Sequence, residues 1–213
     1  MKKKLLIALA LTSVPAVSMA EVTGNVGWVS EYLFRGIYQE DSSASAGVDW
    51  AGDSGAYVGT WWADVGTGLE TDLYFGWGGG DEDGFNYSIG YTGYFYTDDF
   101  DDTYNEININ LGYGIFALEL SPGKWDGFGT SQDYLFSAIT ISPEKGPYYK
   151  IGNFSQDFDG TYYEIGYGYD FMGVDLSVAL TYSDDLLVTN YYGDGDTGDY
   201  ALVFGISKTL GGD

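Results

Sequence analysis

The sequence contains no cysteine and no histidine, only 4 prolines, and 8 basic residues against 32 acidic ones. Without cysteine there is neither a disulfide framework nor a thiolate nucleophile or ligand. Without histidine there is no Ser-His catalysis, no His-ligated zinc or haem, and no histidine general base. The scarcity of basic side chains, with a formal net charge of −24, excludes a nucleic-acid partner. Beyond residue 20 there is no apolar run long enough for a membrane-crossing helix and no sustained helical periodicity.

What the chain does have is 33 glycines and 21 tyrosines spread along its length, and aromatics make up 18% of its residues. That aromatic load does not fit disorder in spite of the charge. The first segment runs from Met1 and three lysines through the apolar stretch Leu5 to Val17 to Ser18-Met19-Ala20. It is read as a secretory signal peptide, residues 1–20, with cleavage expected after Ala20 and residues 21–213 forming one domain. Three of the basic residues and none of the acidic ones lie in that leader, so the remainder is more acidic than the whole.

After the leader, the sequence is a succession of segments roughly ten residues long in which apolar residues alternate with small or polar ones. In Gly84 to Tyr96, Phe85, Tyr87, Ile89, Tyr91 and Phe95 share one face and Asn86, Ser88, Gly90, Thr92 and Tyr94 the other. Leu69, Leu73, Phe75 and Trp77 stand against Glu70, Asp72, Tyr74 and Gly76, and Ile107, Ile109 and Leu111 against Glu106, Asn108 and Asn110. The segments at 161–170, 174–183 and 200–210 alternate likewise, while the facing of the third, eighth and ninth segments is ambiguous. The apolar faces carry aliphatics between aromatic ends, the pattern of a lipid-facing band with aromatic girdles. The expectation is an all-β transmembrane, antiparallel, up-and-down barrel of about twelve strands, with ten or fourteen compatible with the same spacing. A secreted β-sandwich is the competing architecture, in which the alternation would mean only core and solvent faces.

The connections mostly alternate in length as in outer-membrane barrels, with short periplasmic turns and longer outer loops. The outer loops are expected at Leu33 to Ser43, Val65 to Gly68, Thr97 to Thr103, Ser121 to Asp133, Ser155 to Gly160 and Asp184 to Asp199, of which only Val65 to Gly68 is shorter than the pattern wants. Both termini then face the periplasm.

The segments Tyr32-Leu33-Phe34-Arg35-Gly36-Ile37 and Asp53-Ser54-Gly55-Ala56-Tyr57-Val58-Gly59-Thr60 carry a resemblance. Over about its first third the chain resembles the TorF porin family. The resemblance implies an outer-membrane barrel with a porin role and supplies no transported solute.

With the apolar face of each strand against lipid, the inward acids are Glu31, Asp49, Glu70, Asp72, Glu106, Glu119, Glu164, Asp170 and Asp175, opposed mainly by Arg35. These are the candidate pore-lining residues. Arg35 is expected either to tune a pore mouth or, on the simpler reading, to tie its loop to Glu31 or Asp49. The run from Asp194 to Asp199 has acids at alternating positions but lacks the terminal bidentate Glu of a calcium loop, and reads as a solvated loop tip. No catalytic residue, metal site or cofactor is assigned. The expected function is passive diffusion of small hydrophilic, cation-favoured solutes across the outer membrane. The alternative is a non-conducting barrel with an adhesive or structural role. The expected partners are outer-membrane lipid, lipopolysaccharide and the solutes themselves, and a homo-oligomer is compatible with the sequence.

Overall fold

A computed structural model describes residues 21–81, 84–192 and 197–211. The expected leader, residues 1–20, lies outside them, as do Asp194, Gly195 and Asp196 of the acidic loop. Twelve antiparallel strands run in chain order: β1 (Glu21–Phe34), β2 (Ile37–Ala51), β3 (Ala56–Asp64), β4 (Leu69–Gly80), β5 (Phe85–Tyr96), β6 (Tyr104–Tyr113), β7 (Phe116–Trp125), β8 (Gln132–Ile141), β9 (Tyr148–Gln156), β10 (Gly160–Phe171), β11 (Val174–Ser183) and β12 (Asp199–Leu210). Each pairs with its sequence neighbours, and β1 closes on β12 through Gly24↔Leu210 to Val29↔Gly205. Closure removes the unpaired edges that an open sheet would present, so each strand has a hydrogen-bonded neighbour on both sides.

The period-two reading of the strands fixes which side chains face out. Leu73, Phe75, Ile89, Ile107, Ile139, Ile151, Leu180 and Phe204 are all exposed on the outer wall. Exposed Trp50, Trp77, Phe85, Tyr113, Phe116, Tyr149, Tyr169 and Phe171 collect toward the end that carries the chain termini. An apolar outer wall of this kind has no stable place in water, and lipid is the solvent that suits it. The sandwich alternative fails on the closed strand order alone.

The three ambiguous strands are now assigned. Trp61 of β3, Tyr134 and Phe136 of β8, and Tyr148, Lys150 and Phe154 of β9 point inward, whereas Val58, Ile139 and Ile151 point out. Inward tyrosines lie flat on glycines of the adjacent strand: Tyr148 on Gly166, Tyr162 on Gly152 and Tyr134 on Gly123, where an added Cβ would overlap the ring. This close approach holds the rings against the wall.

Three connections differ from expectation. The segment Leu33 to Ser43 is no long loop: β1 and β2 continue as a hairpin closed by Arg35 and Gly36, whose φ values of 51° and 82° are those of a tight hairpin turn. The extra length folds over the barrel mouth rather than into solvent. The expected loop Ser121 to Asp133 shrinks because β7 runs on to Trp125. Pro122 lies within β7 where β6–β7 pairing lapses between Glu106↔Gly123 and Ile109↔Leu120, and proline is tolerated in a sheet at such an irregularity. The segment Asp184 to Asp199 contains a helix, α1 (Asp185–Tyr192). Asp184 caps it, its Oδ1 accepting from Leu187 N at 3.2 Å while its Oδ2 accepts from Thr161 N at 2.7 Å.

Candidate functional site

Inward polar groups converge on the barrel interior, and its two halves are built differently. At the loop end the tip of the β1–β2 hairpin reaches across the lumen to the opposite wall. Arg35 Nη1 donates to both oxygens of Glu106, at 2.6 and 2.8 Å, and Nη2 donates to Glu119 Oε1 at 2.8 Å and to Ser121 Oγ at 3.4 Å. The guanidinium lies 4.1 Å above the centroid of Phe136 and 5.0 Å from that of Phe34. Beside it, Ser183 Oγ donates to Gly36 O at 2.6 Å, and a Cβ on Gly36 would press on Tyr162. Two carboxylates thus share one planar fork, and an apolar shell of Tyr134, Phe136, Phe154, Tyr162 and Leu187 keeps water away from it.

Glu70, Asp72 and Glu106 are essentially fully buried in the same half. Tyr32 donates to Glu70 Oε1 at 2.9 Å, and Tyr94 donates to Glu106 Oε1 at 3.1 Å. Glu119 also lies 3.9 Å from Lys150 Nζ, which faces Glu164 across the β9–β10 ladder. At the mouth itself, burial pushes the Asp101 carboxyl above its ordinary range, against the pull of the hydrogen bonds it accepts from Tyr104 and Trp125.

Toward the termini the inward positions are small or amide-bearing: Asn25, Gly47, Gly76, Asn86, Ser88, Asn110, Gly112, Gly166, Gly168 and Ser177. The acids here are served by neutral donors. Asp49 accepts from the Tyr74 hydroxyl and from Asn25 Nδ2 at 3.3 Å, and Glu164 accepts from Tyr148 at 2.6 Å and Thr181 at 3.1 Å. Asp170 and Asp175 face each other in register near the terminal rim.

The inward residues anticipated from sequence therefore fall into three groups. Arg35, Glu106 and Glu119 form one cluster with Glu70 and Asp72 beside it, while Asp49, Glu164, Asp170 and Asp175 line the roomier half. Glu31 stands apart, partly exposed at the loop-end rim near Asp41 and Asp199. The tie expected between Arg35 and Glu31 or Asp49 is not formed, because the inward-folded hairpin carries the guanidinium past its own strands to β6 and β7. The partners are 71 and 84 residues away in sequence, a pairing that no local pattern reveals. Ser121, Phe136 and Lys150 were not anticipated, and Tyr94 was placed on the inward face without its bond to Glu106. The alternation Tyr148, Lys150, Gly152, Phe154 could have marked Lys150 as inward had the facing of β9 been known. Among the described residues no three His, Cys, Asp or Glu side chains group as a metal site.

A closed antiparallel barrel with an apolar outer wall and a polar interior is the fold of outer-membrane channels and barrels. Residues 14–210 match the family described as "Bacterial protein of unknown function (Gcw_chp)", and the chain belongs to that family. No match is found among curated proteins. Among solved structures, the chain is similar to the COG4313 outer membrane channel from Pseudomonas putida F1, with a TM-score of 0.51 and 9% identity over 96% of this chain and 100% of that one. It is also similar to a protein studied for the in-meso crystallization of membrane proteins, with a TM-score of 0.53 and 10% identity over 90% of this chain and 83% of that one. At such identities the likeness concerns the fold.

Proposed function

We propose that this protein is an outer-membrane channel for small hydrophilic solutes, favouring cations, whose resting state is closed by the tip of the β1–β2 hairpin. The observation that carries the reading is the Arg35 fork on Glu106 and Glu119, a polar clasp that holds a two-residue turn across an acid-lined lumen. A lumen meant to be permanently solid would be served better by apolar packing, since exchanging a buried ion pair for well-packed apolar groups is often neutral or stabilising. The clasp also belongs to a hairpin, an element that can move as a unit while the wall aromatics stay seated on their glycines. The resemblance to the TorF porin family and the likeness to an outer-membrane channel support the same reading. So does the leader-like segment at residues 1–20, which implies export. On this reading the termini face the periplasm and the loops meet lipopolysaccharide.

The sealed loop end, with α1 docked beside the hairpin, favours a second reading, a non-conducting barrel with an adhesive or structural role in the envelope. Planar-bilayer conductance of the refolded protein separates the two. The channel reading expects brief, infrequent openings in the wild type and a large rise in open time in Arg35→Ala. Silence in both, with the variant folded, leaves the structural role.

A further inference from the structure

On the wall of β4, Glu70 and Asp72 point inward two residues apart, so their carboxyls lie on the same face about one pleat repeat from each other. Both side chains are fully buried, at 0% exposure. Tyr32 donates to one oxygen of Glu70 and the Tyr96 hydroxyl lies beside the same carboxyl, yet Glu70 Oε2 and both oxygens of Asp72 have no partner at good hydrogen-bond geometry. Buried carboxylate oxygens are nearly always satisfied, so three together on one strand call for a partner outside the protein's own donors. Arg35 is not that partner: its two terminal nitrogens donate to Glu106, Glu119 and Ser121, and none of its bonds reaches Glu70 or Asp72. The charge balance agrees: four buried acids, Glu70, Asp72, Glu106 and Glu119, face one guanidinium already paired with two of them and the more distant Lys150.

We propose that Glu70 and Asp72 form a binding site for a monovalent cation of alkali or ammonium type within the lumen. Two side chains cannot supply the six to eight oxygens a calcium ion takes, or an octahedral magnesium shell, which agrees with the absence of a three-ligand cluster among the described residues. A singly charged ion needs fewer ligands. The register also places aromatic rings on both sides of the pair, with Trp61 opposite Asp72 on β3 and Tyr94 opposite it on β5, and such faces favour a weakly hydrated cation. Tyr32, bonded to Glu70, holds that carboxylate and leaves its second oxygen free to bind. The ionisable groups facing the pair are Glu106, Arg35 and Asp101 and the hydroxyls of Tyr32, Tyr74, Tyr94, Tyr96 and Tyr104. The inference rests on the cation-favouring reading above and gives it a location.

The test is binding rather than conduction, which keeps the two readings apart. The refolded barrel in detergent is titrated with potassium or methylammonium chloride at constant ionic strength against a bulky organic-cation chloride, and the unfolding temperature is followed. A saturable rise is expected in the wild type, weakened about ten-fold or more in Glu70→Gln/Asp72→Asn, with calcium giving no tighter binding. Quenching of Trp61 fluorescence by thallous ion, read as the difference between wild type and Trp61→Phe, provides a second measurement that does not depend on the double variant folding. It should saturate and be competed by potassium. A dependence on pH with no dependence on cation identity would mean that protons alone occupy the pair and would overturn the proposal, as would equal titrations in wild type and variant or failure of potassium to compete with thallous ion. Binding without conductance would instead remove the channel reading and leave the site standing, and cation-selective conductance without saturable binding would do the reverse.

Discussion

The two halves of the lumen are built from the same strands with the same alternation and arrive at opposite results. In the terminal half the inward positions carry glycine, serine and asparagine, and the acids rest on neutral hydroxyl and amide donors. In the loop half the inward positions carry Tyr94, Phe136, Phe154 and Tyr162, and two of the acids, Glu106 and Glu119, rest on an arginine delivered from the far side. Backbone hydrogen bonding makes the barrel. The size of every second side chain decides whether a given level is a cup or a core. The loop half behaves like the interior of a soluble protein, where an unpaired charge is costly, whereas the terminal half stays wet enough to tolerate its acids.

The largest effect expected from breaking this contrast comes from Arg35. Arg35→Ala leaves Glu106 and Glu119 buried without their fork, a change that typically costs about 3–5 kcal/mol. Heat-dependent gel mobility in SDS reads the outcome. The wild type should migrate faster unheated than boiled, and the variant should lose that shift at a lower temperature. Arg35→Lys should fall between the two, because an ammonium keeps the charge but cannot reach both carboxylates as a planar fork does. A variant as heat-resistant as the wild type would show that the clasp carries no load.

Next in size is Leu187→Ala. This side chain of α1 is buried to 1% exposure against Gly160 and the aromatic cluster. Its loss should cost about 2–3 kcal/mol, at the low end for leucine truncation because the helix lies at the rim and can settle. Limited proteolysis should then cut within residues 185–198 well before the barrel is attacked. Gly36→Ala is expected to cost about 1–2 kcal/mol, through its positive φ and the pressure of a new methyl on Tyr162. Its distinguishing signature is a raised open probability with the SDS shift retained.

The same contrast explains what could be read from the sequence. Alternation in Gly84 to Tyr96 or Val174 to Ser183 reports facing directly, because lipid on one side and lumen on the other impose the period of two on each strand alone. The count of about twelve strands and the inward placement of Glu70, Asp72 and Glu106 came from that period. What escaped depends on contacts between distant segments. Leu33 to Ser43 looks like a loop because Asp41, Ser42 and Ser43 are turn formers, yet its residues pair with one another as soon as the tip has somewhere to dock. Leu187 looks like one apolar residue in an acidic loop until the cluster beneath it exists. Lys150 could not be placed while β9 had Tyr148 and Tyr149 side by side, either of which could be the lipid-facing one.

The smallest expected effect on stability, and the sharpest test of the cup, concerns the terminal-half acids. Asp49, Glu164, Asp170 and Asp175 lie below the clasp, partly exposed, and an exposed or half-exposed acid with neutral donors adds little to folding, so Asp170→Asn/Asp175→Asn should change the unfolding temperature scarcely at all. Their field should nonetheless act on ions, since low-dielectric walls focus it along the lumen and raise the local cation concentration. In an Arg35→Ala background that conducts, a KCl gradient should give a reversal potential of cation-selective sign. Neutralising Asp49, Glu164, Asp170 and Asp175 together should shift it toward zero, by less at high salt, where the Debye length contracts to about 3 Å at 1 M. Glu70→Gln, Asp72→Asn and Glu106→Gln in the same background should shift it further, because those acids are the most deeply buried of the set. If the terminal-half set dominated, the selectivity filter would be the cup and the loop half only its lid. An anion-selective reversal potential would mean that the acids near Arg35 and Lys150 do not set the field of the open lumen.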